Sequence, residues 1–567
     1  MNGENSVVST NVSKEKREKL VQKITAIKQY LQSAPQDENT AQLLTYIADI
    51  EKDIKGKKYG LVFEEHRESI DELLENNLPV LTEDTGLFID NGGQMNFLIE
   101  GDNLASLKLL EKTHKGKIDL IYIDPPYNTG NKDFVYDDSF VDSNDTFRHS
   151  KWLSFMEKRL QIARNLLSEK GVIFISIDDN EQATLKILCD GIFDVNNFLA
   201  CVCVKGNPRG RQSSTYFAQV HDSLLVYRKT YKAELMGFDI SAEEIQKRFN
   251  KLDENGVQYE EWELRKRGAD SRREDSPNLW FPIYYNAIYG ISTTKKSEED
   301  VVILPKLSDG SDGRWRWSRE KVEKHRDRLY IRRTNKGVYN IYERKYIEEK
   351  SKQLAPTIWD YPEVNTELGT KVLKSILEGS AKFDFPKPIG LISRILSTLP
   401  VDIVVLDFFA GSGTTGHAVM KLNAEDGGNR KFILCTNNEN NICRDVTYER
   451  IKRVIAKEDY KASLKYFKVD YLPISDKLYY EYADELLLHI RELVELENGI
   501  NFSGNNEIAI VLTEAELDDF AANIPETCKA IYVGHDVLPT EEQENIFAKN
   551  KIKVNVTPEY YYRDLEG

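Results

Sequence analysis

The stretch Ile121-Tyr-Ile-Asp-Pro-Pro-Tyr-Asn-Thr-Gly130 combines hydrogen-bond acceptors, an aromatic ring and a rigid backbone. The apolar run from Ile118 to Ile123, interrupted only by an aspartate, is typical of the end of a buried strand. Two prolines then end the strand's hydrogen-bonding ladder, because proline has no backbone N–H to donate. The Asp124 carboxylate and the Pro125 carbonyl should therefore stand at the carboxyl edge of a sheet, beside the ring of Tyr127. Such an acceptor pair next to an aromatic face suits a planar base that bears an exocyclic amine.

A second candidate site follows the predicted strand Val401 to Leu406. There, Asp407-Phe-Phe-Ala-Gly-Ser-Gly-Thr-Thr-Gly416 leads into a predicted helix, and a glycine turn in that setting lets the backbone approach a ligand closely. The next predicted strand, Phe432 to Thr436, ends near Glu439, where nucleoside-binding folds place an acid for the ribose hydroxyls. The phosphate-binding pattern Gly-x-x-x-x-Gly-Lys-Ser/Thr is absent from the sequence. The second site is therefore predicted to be a nucleoside-cofactor half-site and not a phosphate cradle.

The elements that must position these residues alternate between strand and helix in two blocks, residues 86–230 and residues 376–460. In the first block the predicted strands are Phe97–Glu100, Ile118–Ile123, Val172–Ile177, Phe198–Val204 and His221–Arg228. The predicted helices between them are Leu104–Leu110, 152–167 and Glu181–Leu188. The second block adds a helix from Leu391 to Leu396 before its two strands. Such alternation predicts an α/β fold with a doubly wound, mainly parallel sheet.

Three further regions complete the predicted organisation of the 567 residues. Residues 1–85 are predicted to be an N-terminal helical region, with helices from Ser13 to about Gln32 and from Ala41 to Ile54. Residues 231–375 lack the alternation and form an insert between the two blocks. Residues 461–567 are predicted to be a small C-terminal α/β domain for assembly. Its predicted elements are a helix from Tyr479 to Val494 and strands near Ile508–Leu512 and Ala530–Val533.

The insert carries positive charge in a chain whose formal net charge is −16. Between Arg314 and Lys345 there are 12 Lys or Arg residues against 4 Asp or Glu residues. Basic residues with interleaved aromatics, as in Arg314-Trp-Arg-Trp317, can neutralise phosphates and stack on bases. A basic loop also separates two strands of the first block. The DNA-binding candidates are Lys205, Arg209, Arg211, Arg265, Arg267, Arg314 and Arg316.

Apolar runs, the first residues and the cysteines indicate the cellular location of the chain and exclude some kinds of site. No window approaches about 18 uninterrupted apolar residues, so no membrane span is predicted. The first residues, Met-Asn-Gly-Glu-Asn-Ser, lack a secretion signal, so a cytoplasmic location is expected. The six cysteines include no Cys-x-x-Cys pair and are expected to be reduced thiols that form neither a metal site nor a disulfide framework.

Taken together, Asp124-Pro-Pro-Tyr127 and Asp407-Phe-Phe-Ala-Gly-Ser-Gly413 resemble the signature pair of S-adenosylmethionine-dependent amino-methyltransferases of DNA. Their order, with the amine motif first, is similar to the permuted (beta) class, in which a target-recognition domain lies between the motifs. Further motifs narrow the resemblance to the modification (Mod) subunit of type III restriction–modification systems. These are Lys58-Lys-Tyr-Gly-Leu-Val-Phe-Glu-Glu-His66, Ile175-Ser-Ile-Asp-Asp-Asn-Glu181, Phe385-Pro-Lys-Pro388 and Thr414-Thr-Gly-His-Ala-Val-Met420.

The resemblance implies a Rossmann-like methyltransferase sheet in permuted order, with residues 231–375 as its target-recognition domain. It implies methylation of adenine N6 in double-stranded DNA, with the base flipped out of the duplex. The implied catalytic residues are Asp124, Pro125, Pro126 and Tyr127. The implied cofactor-binding residues are Asp102, Asp124, Lys387, Asp407, Phe409, Gly411, Ser412, Gly413 and Glu439. The family also implies a Mod homodimer, a separate ATP-dependent restriction (Res) subunit, and a place in the bacterial cytoplasm near the nucleoid.

Two alternatives stay open at this point. The first is methylation of cytosine N4, because a cytosine amine fits a similar pocket, although the family usually has Ser in place of Asp124 for that base. The second is a DNA-recognition subunit without catalysis, against which the intact Asp124, Tyr127 and Gly411 count. A methyltransferase for proteins or small molecules would not require the basic, aromatic insert.

Overall fold

The structure is a computed structural model, and most of the chain is described in it. The described residues are 12–33, 40, 43–44, 46–47, 50, 63–130, 134–136, 139–141, 144–210, 216–335, 337–347, 352–379, 383–474, 486, 488–502, 505–534 and 537–557. Over these residues, no helix has both the length and the apolar character that crossing a membrane requires.

Ten strands form one central sheet. In chain order they are β1 Asn77–Glu83, β2 Gln94–Glu100, β3 Ile118–Ile123, β4 Leu167–Ile177, β5 Phe198–Val204, β6 Asp222–Arg228, β7 Ile358–Trp359, β8 Val404–Asp407, β9 Lys431–Thr436 and β10 Ala462–Pro473. Their order across the sheet is β1-β10-β2-β9-β8-β3-β4-β6-β5-β7. β1 and β6 run antiparallel to their neighbours, and the other strands run parallel to one another.

Helices cover both faces of the sheet. Those that pack on it are α1 Asn103–His114, α2 Arg148–Leu166, α3 Gln182–Phe193, α4 Ile389–Ser397, α5 Thr414–Asp426, α6 Glu449–Glu458 and α7 Ile490–Asn498. Because side chains alternate along a strand, Ile121 and Ile123 of β3 join one apolar core with α1, α2, α3 and α7. Leu120 and Tyr122 join a second core with α4, α5 and α6 on the opposite face. The fold is thus the predicted doubly wound, Rossmann-like sheet.

The central strands follow the sequence predictions closely. The strands predicted at Ile118–Ile123 and Phe198–Val204 are confirmed at those residues, and the others shift by a few residues at their ends. β6 is the exception in direction, because it runs antiparallel to β4 and β5. Its first residue therefore lies at the carboxyl edge of the sheet, which a strand pattern alone does not reveal.

Two strands of the sheet lie outside the two predicted blocks. β1 falls within the predicted N-terminal helical region, and β10 falls within the predicted C-terminal domain. A fully buried lysine, Lys465 of β10, bridges Glu83 of β1 at 3.1 Å and Glu495 of α7 at 2.5 Å. The pairing joins residues almost 400 positions apart in the chain, so no local period could predict it. The limits of the domains stay predictions.

The N-terminal region begins with the predicted helix, which spans Val12–Ser33. Most of the helix predicted from Ala41 to Ile54 lies outside the described residues. A helix at Ser69–Asn76 precedes β1.

At the other end of the chain, a three-stranded parallel sheet confirms the two predicted C-terminal strands. It is formed by Ile508–Val511, Ala530–Val533 and Lys553–Val556, with helices Glu514–Ala522 and Glu541–Asn550. The helix predicted from Tyr479 starts, in its described part, at Ile490.

The insert between the blocks has its own small core around Trp315 and Trp317. A four-stranded sheet contains, in spatial order, Lys251–Leu252, Gln258–Glu263, Tyr339–Tyr346 and Leu329–Arg333. A three-stranded sheet contains Gly290–Ser292, Ile283–Asn286 and Val301–Ile303. Short helices occur at Ala242–Arg248 and Arg319–Lys324, and the helix Thr366–Ile376 leads back to the central sheet. The remaining strand pairs are Phe238–Asp239 with Lys352–Gln353 and Val135–Tyr136 with Ser139–Phe140.

Candidate active site

The centre of the sheet contains a topological switch point. From β3 the chain continues to β4 on one side, whereas from β8 it continues to β9 on the other side. β3 and β8 are parallel neighbours, so their carboxyl ends open into the same crevice. Ligands of open α/β sheets bind in a crevice of this kind. Asp124 follows β3 and Asp407 ends β8, so the two predicted half-sites meet there.

The Pro-Pro turn after β3 is held by a buried tryptophan. Pro125 is buried and Pro126 is half-buried. The indole Nε1 of Trp152 in α2 donates a hydrogen bond of 2.7 Å to the Pro126 carbonyl, and the Trp152 side chain is completely buried. The rigid prolines and this bond together fix the direction in which Asp124 leaves the strand.

Around Asp124 the structure gathers an ionic cluster. The Tyr127 hydroxyl donates to Asp124 Oδ1 at 3.0 Å. The ammonium of Lys387 lies 3.3 Å from Asp124 Oδ1 and 3.6 Å from Oδ2 of Asp222, and it also donates to the Tyr127 hydroxyl. Sequence reasoning did not find Asp222, because its place in the site depends on the antiparallel direction of β6.

The cluster shifts the protonation of its members. Burial raises the pKa of Asp124, and the nearby ammonium of Lys387 only partly offsets this. Burial alone would lower the pKa of Lys387, but the carboxylates of Asp124 and Asp222 outweigh it, so the pKa of Lys387 lies above its ordinary value. Lys387 therefore stays charged while it pairs with the two carboxylates.

A second network, of buried hydrogen bonds, holds the residue that follows Tyr127. Asn128 is fully buried, and its φ of 57° lies in the left-handed region. Its side-chain amide donates to Glu181 Oε1 at 2.6 Å. The same carboxylate, also fully buried, binds His149 at 2.6 Å and Thr184 at 2.5 Å. Glu181 ends the resemblance motif that starts at Ile175, and the structure gives it a physical task, which is to hold the residue after Tyr127.

The glycine turn after β8 adopts a conformation that needs glycine at two positions. Gly411 has φ of 47° and Gly413 has φ of 73°, and L side chains rarely adopt such values. A Cβ atom on Gly411 would lie only 2.9 Å from the ring of Phe383. α5 begins directly after Gly413, so the free N–H groups of its first turn lie beside the turn.

An arginine that the sequence did not reveal braces this turn. Arg450 of α6 is completely buried. Its guanidinium donates to the Ser412 carbonyl at 3.2 Å, to Ser412 Oγ at 3.1 Å and to Thr414 Oγ1 at 2.8 Å. Burial lowers the pKa of Arg450 to about 9. No local pattern marks it, since a single arginine on a charged helix usually faces water.

At the end of β8, the carboxyl group of Asp407 is buried, with 3% of the residue exposed. It accepts hydrogen bonds from the Phe409 N–H at 3.0 Å and from the Thr415 hydroxyl at 2.5 Å. Burial raises its pKa to about 7, because these two bonds only partly compensate the lost hydration. The ring of Phe409 is half-buried and lies 5.8 Å from the ring of Phe155.

The other two predicted cofactor acids follow neighbouring strands. Asp102 lies just beyond β2 and caps α1, accepting from the Leu104 N–H at 2.7 Å. Its side chain is 36% exposed, and its second oxygen lies 3.6 Å from the buried guanidinium of Arg159. Glu439 lies just beyond β9, is exposed, and accepts from the Asn437 side chain at 2.9 Å. Both acids therefore lie beyond the carboxyl ends of β2 and β9, on the β8 side of the switch point.

Lys387 links the two half-sites. Its carbonyl accepts from Thr414 Oγ1 at 3.2 Å, which ties its backbone to the glycine turn. Its ammonium reaches the other way, to Asp124 and Tyr127. The resemblance places this lysine near the carboxylate of the cofactor, whereas the structure has its ammonium on the base side of the crevice.

Of the predicted DNA-binding residues that the structure describes, Arg209 and Arg267 are exposed, whereas Lys205, Arg265, Arg314 and Arg316 are half-buried. Four of them pair with acidic side chains. Lys205 lies 3.0 Å from Asp360, and Arg209 lies 3.9 Å from Glu367. Arg211 lies outside the described residues. The loop that carries Lys205 and Arg209 joins β5 to β6, at the carboxyl edge of the sheet.

Within the insert, the structure brings the two predicted basic clusters side by side. The Lys266 N–H donates to the Arg314 carbonyl, and the Arg316 N–H donates to the Leu264 carbonyl, both at 2.9 Å. Arg265 and Arg267 both pair with Glu263. The guanidinium of Arg314 binds the Asp270 carbonyl, and that of Arg316 lies 4.8 Å from the ring centre of Trp262.

The tryptophans of the segment Arg314–Trp317 do not match the interpretation that they stack on bases. Trp315 is 2% exposed and Trp317 is 4% exposed, and both pack in the core of the insert. Their large apolar rings stabilise this small domain. Arg314 and Arg316 are half-buried, because side chains alternate along an extended segment and the tryptophans take the inner face.

Comparison with known proteins agrees with this geometry. A family model described as DNA methylase (N6_N4_Mtase) matches residues 118–449. Over 381 residues the chain is 36% identical to the type III restriction-modification enzyme EcoPI Mod subunit of Escherichia phage P1, covering 62% of this chain and 58% of that protein. Over 340 residues it is 38% identical to the type II methyltransferase M.KpnI of Klebsiella pneumoniae, covering 60% and 79%. The match to the StyLTI Mod subunit of Salmonella typhimurium is 35% identical over 408 residues, covering 65% and 58%. The chain thus spans less than two thirds of the length of either Mod subunit.

Proposed function

Because this chain belongs to the DNA methylase family, we propose that it transfers a methyl group from S-adenosylmethionine to N6 of adenine in double-stranded DNA. One observation carries the proposal: Asp124 and Tyr127 share the switch-point crevice with the glycine turn Gly411–Gly413. An amine acceptor and a nucleoside-cofactor loop in one crevice are what direct methyl transfer to an exocyclic amine needs.

The residues of the β8 side fit S-adenosylmethionine chemically. Gly411 and Gly413 hold a turn that only glycine adopts easily, and the N-terminus of α5 favours a carboxylate. Asp407 presents a buried carboxyl without a cation among its hydrogen-bond partners, which suits an ammonium group. Asp102 and Glu439 would bind the adenine amine and the ribose hydroxyls, while Phe409 and Ser412 would line the site. When bound, this cofactor supplies an electrophilic methyl group.

On the β3 side, the chain's own residues would prepare the amine. The Asp124 carboxylate and the Pro125 carbonyl would accept hydrogen bonds from the two N6–H groups, while the ring of Tyr127 stacks on the base. These hydrogen bonds would turn the nitrogen lone pair out of conjugation and toward the methyl donor, so that the nitrogen is the nucleophile. As the nitrogen bonds to the methyl carbon, it would break the bond between that carbon and sulfur, displace the sulfur as a neutral thioether, and release one N6 proton toward the Asp124 carboxylate. No covalent intermediate with the protein is required. Pro126 contributes by keeping the turn rigid through its bond to Trp152.

The ion pair between Lys387 and Asp124 suggests the role of the lysine in methyl transfer. In the structure, Oδ1 of Asp124 accepts from the Tyr127 hydroxyl and lies 3.3 Å from the ammonium of Lys387. An entering amine replaces the hydroxyl, whereas Asp222 remains to hold the ammonium. The lysine would then keep Asp124 ionised, which counteracts the effect of burial on the pKa of that residue.

Recognition of the target sequence is assigned to the insert, residues 231–375, as in the permuted class that the chain resembles. The cations Lys205, Arg209, Arg211, Arg265 and Arg267, with Arg314 and Arg316, would bind DNA phosphates. Where the present acidic partner is exposed, as for Arg209 with Glu367, breaking the ion pair costs only about 0–1 kcal/mol. The surplus of cations between Arg314 and Lys345 supports the assignment.

We further propose that the chain is the modification and recognition subunit of a type III restriction–modification system. The identity to two type III Mod subunits supports this. The proposal includes a homodimer, formed with the C-terminal residues 461–567, and a separate ATP-dependent Res subunit. It also includes the bacterial cytoplasm, near the nucleoid, as the place of action.

Mass spectrometry of enzyme-treated DNA tests the central proposal. Unmethylated genomic DNA is incubated with the full chain and S-adenosylmethionine, then digested to nucleosides. N6-methyl-2′-deoxyadenosine is expected from the wild type. For Asp124→Ala, turnover should fall at least about 100-fold, as it does when one preorganised polar group is removed, while cofactor binding by calorimetry is retained. N4-methyl-2′-deoxycytidine in place of N6-methyl-2′-deoxyadenosine, or wild-type turnover by the variant, would refute the assignment.

Sequencing of the same treated DNA with detection of methylated adenine would identify the recognised sequence. The proposed type III system predicts a single sequence motif. Light scattering of the purified chain tests the dimer, and a monomer at micromolar concentration would count against it.

A further inference from the structure

Two neighbouring aromatic residues, Tyr216 and Phe217, stand almost fully in water beside the active site. Tyr216 is 88% exposed and Phe217 is 85% exposed. Over the described residues, Phe385 is the one other aromatic residue above 80%, and it lies two positions from Lys387. The most exposed aromatic side chains of the described chain therefore all belong to segments at the crevice. Single exposed apolar residues are ordinary, but an adjacent aromatic pair at a functional edge calls for a partner.

The loop that carries the pair is anchored in the active site. It joins β5 to β6, and the pair Val204 and Asp222 closes its base. Asp222 is the residue whose carboxylate lies 3.6 Å from Lys387, which in turn lies 3.3 Å from Asp124. The position of the loop is thus coupled by two short contacts to the residue that would hold the target amine.

The two arms of the loop also contact each other above this base. The Asn207 N–H donates to the Val220 carbonyl at 3.1 Å. A Cβ atom on Gly210 would lie 2.7 Å from the Cβ of Ala218, so the arms are in close contact there. The Thr366 N–H and hydroxyl bind the Gly206 carbonyl on the outer side, at 2.9 and 3.0 Å. Tyr216 and Phe217 follow directly beyond this paired stem.

The charge of the loop selects the class of partner. Residues 205–221 contain three Lys or Arg residues and no Asp or Glu, in a chain with a net charge of −16. Lys205 forms an ion pair with Asp360, and Arg209 forms one with Glu367. Exposed aromatic rings in a loop whose Lys and Arg residues are its only fixed charges match a nucleic acid, whose stacked bases are flanked by phosphates. They match an acidic protein surface less well, because it offers no flat faces for the rings.

We propose that Tyr216 and Phe217 form a wedge that enters the DNA duplex and fills the space left by the flipped adenine. The inference rests on the proposed function and adds to it the device that opens the duplex. Proteins that distort DNA insert apolar side chains between base steps in this way. Stacking of the two rings on the neighbouring bases offsets the free energy lost when the target adenine unstacks. Asp222, through Lys387, holds the base of the loop at a fixed position relative to Asp124.

The test compares two duplexes that contain the recognised sequence. In one the target adenine is paired with thymine, and in the other it faces an abasic site, where the base is already easily extruded. For the double variant Tyr216→Ala/Phe217→Ala, kcat/KM should fall about 10- to 100-fold on the paired duplex, in keeping with the loss of one or two stacked rings. On the duplex with the abasic site it should fall less than about threefold, since little opening remains to be assisted.

Two control variants make the comparison specific. Tyr231→Ala removes a tyrosine that is 78% exposed and lies beyond the other end of β6, at the opposite edge of the sheet, and it should match the wild type on both duplexes. Tyr216→Phe/Phe217→Tyr keeps both rings and should retain at least half of the wild-type kcat/KM. 2-Aminopurine in place of the target adenine reports flipping directly, and the rise in its fluorescence should be lost in the alanine double variant.

The outcomes separate the wedge from the proposed function. If the wild type transfers no methyl group to either duplex, the proposed function fails and the wedge fails with it. If the wild type is active and the double variant loses equally on both duplexes, the rings are ordinary DNA contacts and the wedge is refuted. Unchanged kcat/KM on both duplexes also refutes it and would leave the pair to a protein partner.

Discussion

Replacing Asp407 by asparagine should remove the pH dependence that this carboxyl group gives to folding stability and to cofactor affinity. In the wild type, burial raises the pKa of this carboxyl group from 3.8 to about 7. Asparagine has the same shape and stays neutral. Its amide oxygen can still accept from the Phe409 N–H, and the Thr415 hydroxyl can turn to accept from the amide nitrogen. The variant therefore changes the charge of the site and keeps its hydrogen bonds.

The sign of the effect on stability follows from linkage. Because the pKa of Asp407 is higher in the folded chain, the folded state binds its proton more tightly between pH 3.8 and about 7. The free energy of unfolding should therefore fall as the pH rises through this window, by about 4 kcal/mol at 1.36 kcal/mol per pKa unit. In Asp407→Asn this contribution is absent. The unfolding free energy of the variant relative to the wild type should rise by about 4 kcal/mol from pH 4 to pH 8, as measured by urea denaturation.

Cofactor binding should respond in the opposite direction. If the ammonium group of S-adenosylmethionine pairs with Asp407, binding requires the ionised carboxylate. As the pH is raised toward 7, the affinity of the wild type for S-adenosylmethionine should increase by up to tenfold per pH unit. Above pH 7 the affinity should level off. For Asp407→Asn the affinity should be at least about tenfold weaker at pH 7.5 and nearly independent of pH between 5.5 and 7.5. Isothermal titration calorimetry at three pH values measures both.

Asp402→Asn is the matched control, because Asp402 is exposed and precedes the same strand at the opposite edge of the sheet. It should leave both pH profiles unchanged. The reasoning would be refuted if Asp407→Asn retained the slope of the wild-type binding profile, or if the stability profiles of the two proteins ran parallel from pH 4 to pH 8.

Two further variants test the supports of the half-sites. Arg450→Met removes three N–H···O bonds to Ser412 and Thr414 while roughly keeping the volume, so the Kd for S-adenosylmethionine should rise at least about tenfold, or 1.4 kcal/mol. Lys452→Met, an exposed neighbour on α6, should bind as the wild type does, and equal binding by both variants would dismiss the bracing role of the arginine. Glu181→Ala removes one of the two acceptors of the buried Asn128 amide, which keeps its hydrogen bond to the Arg148 carbonyl. Leaving one buried N–H without an acceptor costs about 1–3 kcal/mol. The melting temperature should fall by several degrees, at about 2–4 °C per kcal/mol, and turnover should decrease. An unchanged melting temperature would contradict the role of Glu181 in holding Asn128.

Local sequence patterns predicted the central strands well, because these strands are mostly apolar. β3 has the predicted bounds and is buried at five of its six positions, since a strand covered by helices on both sides must be apolar at nearly every position. β5 also has the predicted bounds, although it lies next to the edge of the sheet and is only partly buried. The chemistry at their ends was predictable for a related reason. Prolines and glycines set the backbone locally, so the Pro-Pro turn and the glycine turn mark strand ends without knowledge of the rest of the fold.

Pairings between distant parts of the chain were not predictable in this way. β1 and β10 pair residues that lie almost 400 positions apart in the chain. β10 contains Lys465, whose burial depends on its contacts with Glu83 and Glu495. The direction of β6, which carries Asp222 into the site, depends on which neighbours it pairs with. Nothing in its own residues distinguishes a parallel from an antiparallel strand.

The sequence by itself determined the fold class, the two motifs and the carboxyl edge on which they meet, because short-range backbone chemistry and the periodicity of apolar residues encode these. Only the tertiary structure decided which polar groups surround them. It buried Trp315 and Trp317, which the pattern favoured as stacking rings, and it placed Arg450 and Glu181 beneath the two turns. It also turned the ammonium of Lys387 toward Asp124. Burial and charge pairing depend on residues that are distant in the chain, so they arise only when the sheet assembles.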